Sequence, residues 1–170
     1  MPIDTNAIIK PTLYGATVRF TRPKNTTAYT ANDVLGPDPV TQTGALEFKN
    51  MGPEGGGEIL IMSTYFLVNS TALIASEAAH TMYLYSVNPP SLLADNVAWD
   101  MDSVDQPYFL GSLAIGTPVD IGSSLFIAVD NINKQVKLKS SSMWGYMTTA
   151  GAYTPTSSRE YYVGVHARAL

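Results

Sequence analysis

The sequence predicts an all-β, single-domain sandwich, wired as a jelly roll and preceded by an irregular N-terminal arm. Three observations predict it. Segments near both ends alternate apolar and polar residues with a period of two, as half-buried strands do. Helical periodicity is nearly absent. Turn-forming clusters recur roughly every ten residues and separate about eight to ten short apolar runs, the spacing of a sandwich or jelly roll. At 170 residues the chain fits one domain, large enough to bury a core without disulfides or metals. The arm is expected over residues 1–11 and the sandwich over 12–170.

The arm has no periodicity, ends at Pro11, and offers Ile3, Ile8, Ile9 and Pro11 as candidates for an interface. In the first strand Tyr14, Ala16, Val18 and Phe20 share one face, and Thr17, Arg19 and Thr21 share the other. The run from Thr21 to Gly36 is corner material: Pro23 fixes its own φ and pushes Arg22 to an extended conformation. Asn25, Asn32 and Asp33 can bond their own backbones, and Gly36 permits a reversal. Short strands are expected at Val34-Leu35, Ala45 to Phe48 and Tyr108 to Leu113. Between them, the Gly-rich stretch Gly52 to Gly57 reads as a flexible loop or bulge. It lacks the Lys-Ser/Thr ending and following helix of a phosphate loop.

Glu58 to Val68 and Thr81 to Val87 are apolar on both faces or nearly so, which suits central strands. Between these, Thr71 to Ala79 is Ala-rich and is the only expected helix, with Ser70 as its cap. Ser124 to Val129, Gln135 to Lys139 and Met143 to Thr149 read as a meander linked by Asp130 to Asn133 and Ser140 to Ser142. In the last strand Tyr161, Val163, Val165 and Ala167 point one way, with Glu160, Tyr162, His166 and Arg168 on the opposite face.

Only 14% of residues are charged, against about 25% in average soluble domains. Ser, Thr, Asn and Tyr must then cover much of the exterior, a composition that suits either a protein held against neighbours or a neutral secreted β-domain. The net charge of −4 comes with no basic stripe, so neither nucleic acid nor an anionic membrane is an expected partner. No apolar run approaches the length that spans a bilayer, and the start lacks a secretory signal. The chain contains no cysteine, which excludes disulfide and thiolate chemistry.

Candidate chemistry is sparse. Asp95, Asp100, Asp102 and Asp105 crowd one segment, but without the Gly and closing Glu of an EF-hand they read as a solvated turn. His80 and His166 are the only histidines; neither has metal-ligand spacing, and His166 belongs on a strand surface. No Gly-x-Ser-x-Gly turn marks a nucleophile, so no catalytic residue, metal or cofactor is expected. Trp99 and Trp144 can stack on sugar rings or pack in a core.

Three stretches carry a resemblance. They are Arg22-Pro23 with Thr26-Thr27-Ala28-Tyr29 and Asp33-Val34; Leu84-Tyr85-Ser86 with Pro89-Pro90, Asp95-Asn96 and Tyr108-Phe109-Leu110-Gly111; and Gly151-Ala152-Tyr153-Thr154-Pro155. In this order and spacing the chain resembles tailed-bacteriophage head decoration, or cement, proteins, small jelly rolls on the capsid exterior. The resemblance implies a non-enzymatic virion structural protein, made in the host cytoplasm and bound to the outside of the phage head. Its implied partners are the major capsid protein and further copies of itself, as homodimer or homotrimer. Arg22, Pro23, Thr26, Tyr29, Asp33, Asp95, Asn96, Tyr153 and Pro155 are the positions that match, read as a structural motif rather than a ligand site. The closing Val165-His166-Ala167-Arg168 departs from the pattern in being less acidic. The alternative is a carbohydrate- or receptor-binding jelly roll of a virion tail or fibre, using Trp99 or Trp144 with calcium at the aspartates.

Overall fold

The computed structural model describes residues 12–39 and 44–170; the expected arm, with Ile3, Ile8, Ile9 and Pro11, lies outside the described residues. Eleven strands follow in order: β1 Leu13–Thr21, β2 Val34–Leu35, β3 Leu46–Phe48, β4 Gly57–Val68, β5 His80–Tyr85, β6 Phe109–Gly116, β7 Val119–Asp120, β8 Leu125–Val129, β9 Lys134–Leu138, β10 Met143–Thr149 and β11 Glu160–Ala169. One sheet runs β1-β11-β4-β8-β7 with β9 also on β4, and the other runs β2-β10-β5-β6 with β3 also on β10. The pairing is nested. First strand meets last, β2 and β3 meet β10, β4 meets β8 and β9, and β5 meets β6, all antiparallel. A long hairpin rolled up in this way is a jelly roll, as the sequence predicted.

Alternation sets which side chains meet between the sheets. Phe20 from β1, Tyr161, Val163, Val165 and Ala167 from β11, and Met82 and Leu84 from β5 are buried in one core. In β4 the inward set changes phase, from Ile59 and Ile61 to Thr64, Phe66 and Val68. A bulge does this: Ser63 pairs His166 and Ile61 pairs Ala167, leaving Met62 unmatched.

The Met62 carbonyl accepts the Ile132 amide at 3.0 Å, and Asn131 and Asn133 take left-handed φ of 58° and 51°. The chain therefore kinks at Asp130 to Asn133 instead of reversing, because Asn tolerates that region. β8 and β9 lie end to end along β4, and β10 crosses to the other sheet. The expected meander is thus corrected.

The expected helix over Thr71 to Ala79 is also absent. Ser70 bonds the Ala72 carbonyl rather than capping a turn, and the Ile74 amide donates to the Glu77 side chain at 3.3 Å. A segment this short has too little helical stability to resist such contacts. Among the described residues the helical element is one 3₁₀ turn, Gln106–Tyr108, and no helix is long and apolar enough to cross a membrane.

The two sheets differ on their outer faces. Over β5 and β10 the segment from Ser86 to Tyr108 folds back as a roof, enclosing Val34, Ala45, Tyr85 and Tyr146 in a second core with Leu93, Trp99 and Phe109 packed against it. The Tyr146 hydroxyl donates to the Ser91 carbonyl at 2.7 Å and accepts the Leu93 amide at 3.1 Å. Asp105 takes the Ser91 amide at 3.1 Å and its hydroxyl. The sheet containing β1, β11 and β4 has no such roof among the described residues: Thr17, Arg19 and His166 on its outer face are exposed.

Candidate functional site

The loops that follow β1, β4 and β10 gather at one end of the sandwich. Backbone bonds join them: Tyr29 to Tyr153 at 2.9 Å, Asn32 to Thr149 at 2.7 Å, Ala150 to Ala79 at 2.8 Å, and Arg22 to Arg159 at 3.1 Å. Little regular structure remains there, so side chains must fix the loops.

Two buried arginines hold them. Arg22 leaves β1 pointing inward, is 1% exposed, and donates to the Tyr29 hydroxyl at 3.2 Å, the Asn25 side chain at 3.1 Å and the Asn25 and Thr156 carbonyls. It pairs with Asp95 at 3.6 Å. Tyr29 donates to the same carboxylate at 2.6 Å, which also accepts the Gly36 amide at 3.0 Å. Beside this group the Tyr29 ring lies 5.2 Å from that of Tyr153. Burial raises the carboxyl of Asp95 above its ordinary value, against the opposing pull of the Gly36 amide, Tyr29 and Arg22.

Arg159, at the entrance to β11, makes the second clamp. Its Nη1 donates to Glu77 Oε2 at 2.7 Å, and its guanidinium lies 5.7 Å from the centre of the Tyr161 ring. The His80 imidazole stands 3.6 Å from the other Glu77 oxygen. Burial pushes the Glu77 carboxyl up, but the contacts with His80 and Arg159 outweigh it and leave the group below its ordinary value. Burial raises the Tyr29 and Tyr153 phenols well above the usual range and Tyr161 to about 12. These phenols stay protonated; Tyr29 serves as a donor and all three as packing rings, so these groups position backbone and none of them is an activated nucleophile.

The structure brings together Arg22, Tyr29, Asp95 and Tyr153, one or two from each of the three sequence stretches. Asp33 binds the Thr30 amide and hydroxyl, closing its own turn. The amide of Asn96 donates to the Val34 carbonyl at 2.8 Å, with φ of 62°. The Pro23 carbonyl accepts the Asn25 and Ser158 amides at 2.8 and 3.3 Å, and Pro155 is buried. Thr26 is exposed and takes no part.

The reading of the aspartate segment as a solvated turn is corrected for Asp95 and Asp105, which are buried in side-chain pairs, and fits Asp100 and Asp102. Among the described residues no group of three or more His, Cys, Asp or Glu is placed to hold a metal ion. Sequence reasoning missed Glu77, His80 and Arg159. The available signal was a lone charge in each of two otherwise uncharged loops, where Ala, Ser and Thr leave no other means of fixing the backbone.

Above the clamps the loops show small neutral side chains. Thr27, Thr71, Ala72, Leu73, Thr154 and Thr156 are exposed, and among the described residues of these loops Lys24 is the one exposed charge. Trp99 does not offer a free ring: it stacks on Tyr83 at 3.7 Å and 7° as part of the roof.

No family model and no curated protein matches the sequence. Solved structures show distant likeness. A chain of the T13 IBDV viral particle aligns with TM-score 0.38 and 7% identity, over 94% of this chain and 31% of that one. The K3 cleaved adhesin domain of Lys-gingipain from Porphyromonas gingivalis gives 0.29 and 12%, over 74% and 63%. Desmodium yellow mottle tymovirus gives 0.28 and 11%, over 94% and 89%. This chain spans about a third of the first chain's length, and likeness at these values settles no function.

Proposed function

We propose that this chain is a non-enzymatic virion structural protein, a decoration protein that binds the outside of a phage head across junctions between major capsid subunits. The carrying observation is the clamped loop end: a neutral surface of Thr, Ala, Ser and Leu73, fixed from beneath by Arg22 and Arg159. Interface cores are depleted in charge, and loops already ordered lose less entropy on docking. The resemblance carried by the three sequence stretches supports the same reading.

Association as a dimer or trimer would let weak contacts add through avidity. The segment from Pro2 to Pro11 is proposed to dock on the partner shell. Purified particles should contain the chain in fixed ratio to the major capsid protein. Thr71→Glu with Thr154→Glu should empty those sites while leaving the melting temperature unchanged. Recovery of the protein only from lysate, never with shells, would end this reading.

A further inference from the structure

The unroofed sheet carries a cleft lined by Tyr65, Leu67, Asn69, Ser124 and Tyr162. Tyr162 lies opposite Leu67 and Gly164 opposite Tyr65 in the β11–β4 ladder, so the two tyrosines stand diagonally, with Leu67 beside Tyr65 on β4 and across from Tyr162. The Tyr65 ring lies flat over Gly164: a Cβ there would be 2.0 Å from its Cε1. Its hydroxyl shares a hydrogen bond with Thr17 Oγ1 at 2.7 Å, and Phe126 stands behind it at 6.1 Å. Tyr162 is fixed too, donating to Glu160 Oε2 at 2.9 Å with the Arg19 guanidinium 5.8 Å from its ring centre. Both rings are thus held by hydrogen bonds within the protein.

The rim is polar and its charges are matched. Asn69 Nδ2 donates to Glu160 Oε2 at 3.3 Å, and Glu160 pairs with Arg19. Contact with Tyr162, Arg19 and Asn69 holds the Glu160 carboxyl below its ordinary value against the upward push of burial. An ionic ligand would have to break the Arg19–Glu160 pair to gain anything. An uncharged molecule with apolar ring faces and hydroxyls at its edge matches both walls and rim.

We propose that this cleft is a saccharide subsite that takes one neutral pyranose, with Tyr65 and Tyr162 against its C–H faces and Asn69 and Ser124 bonding its hydroxyls. Trp99 in the roof and Trp144 on β10, both packed against the second core, have no part in it. The cleft adjoins the loop end at Asn69 but shares none of its exposed positions Thr71, Ala72, Thr154 and Thr156, so one molecule could hold a shell with one surface and a glycan with another.

Saturation-transfer NMR on the free protein tests this, using methyl β-glucopyranoside, methyl β-galactopyranoside and methyl N-acetyl-β-glucosaminide at millimolar concentration. At least one should receive transfer. Tyr162→Ala and Asn69→Ala should each weaken binding about tenfold, with melting temperatures showing that both fold; Tyr162→Phe, which keeps the ring, should retain most of it. If Tyr162→Ala does not fold, Asn69→Ala and Ser124→Ala give the same reading. Absence of transfer to every probe, or transfer undiminished in the folded variants, would overturn the proposal. No shell is present in this assay, so its failure leaves the capsid reading untouched.

Discussion

Arg22 occupies a position where no water can replace a lost partner, so the residues around it are coupled. Arg22→Ala leaves the Asp95 carboxylate buried without its cation, and breaking a buried pair in this way costs about 3–5 kcal/mol. Urea unfolding should show that loss as a lower midpoint. Tyr29→Phe removes only the hydroxyl between Arg22 and Asp95 and should cost about 2 kcal/mol. Tyr29→Ala should lower the melting temperature further by also opening a cavity; lost capsid binding at an unchanged melting temperature would contradict this role. Glu77 makes a pH prediction. Its carboxyl lies below its ordinary value of 4.5 when folded, so its stabilising contribution is complete above that value and is lost as the pH falls through the folded one. Asp95, raised by burial, has the opposite sign and favours the folded state on acidification. Glu77→Gln should therefore flatten the acid limb of a plot of stability against pH, and an unchanged limb would show that other carboxylates govern it.

At the scale of elements, the open face of β4 and β11 depends on Gly164. Gly164→Ala drives a methyl group into the Tyr65 ring and should cost about 1–3 kcal/mol by overpacking, with the near-ultraviolet tyrosine signal changing as the ring is displaced. β1 and β11 were legible in the sequence because apolar residues recur at every second position, on a half-buried face in β1 and a buried one in β11, where only Gly164 breaks the alternation of burial. β4 was legible as a central strand, but the Met62 bulge was not, since its evidence is a mismatch with β11 about a hundred residues away. The kink that turns the expected meander into collinear β8 and β9 has the same origin: Asp130 to Asn133 is turn chemistry in either case, and the Met62 carbonyl decides its geometry. The site divides similarly. The corner from Arg22 to Asp33 could be read from Pro23 and its Asn and Asp residues. Arg22 and Asp95, or Glu77 and Arg159, could not be paired from spacing, because each pair is closed by the roll of the whole chain.

For the molecule as a whole, nested pairing means that the first strand cannot find its partner until the last is present. Long loops must close before the contacts that repay them form, which places such topologies among the slower folders. Refolding followed by tyrosine fluorescence should take milliseconds to seconds, and completion in microseconds would contradict that order of events. The same nesting makes β11 indispensable: it lies between β1 and β4 and supplies Tyr161, Val163 and Val165 to the core.

The two arginine clamps separate what holds the loops from what the loops display. Anchoring falls to Arg22, Asp95, Glu77 and Arg159 beneath the surface, whereas the exposed side chains of Thr71, Ala72, Thr154 and Thr156 carry none of it, Thr156 giving Arg22 only its backbone carbonyl. Those positions are free to diversify. A lineage could change what this end recognises by drift at a handful of codons without endangering the fold, and a combinatorial library built at the same positions would inherit the same tolerance.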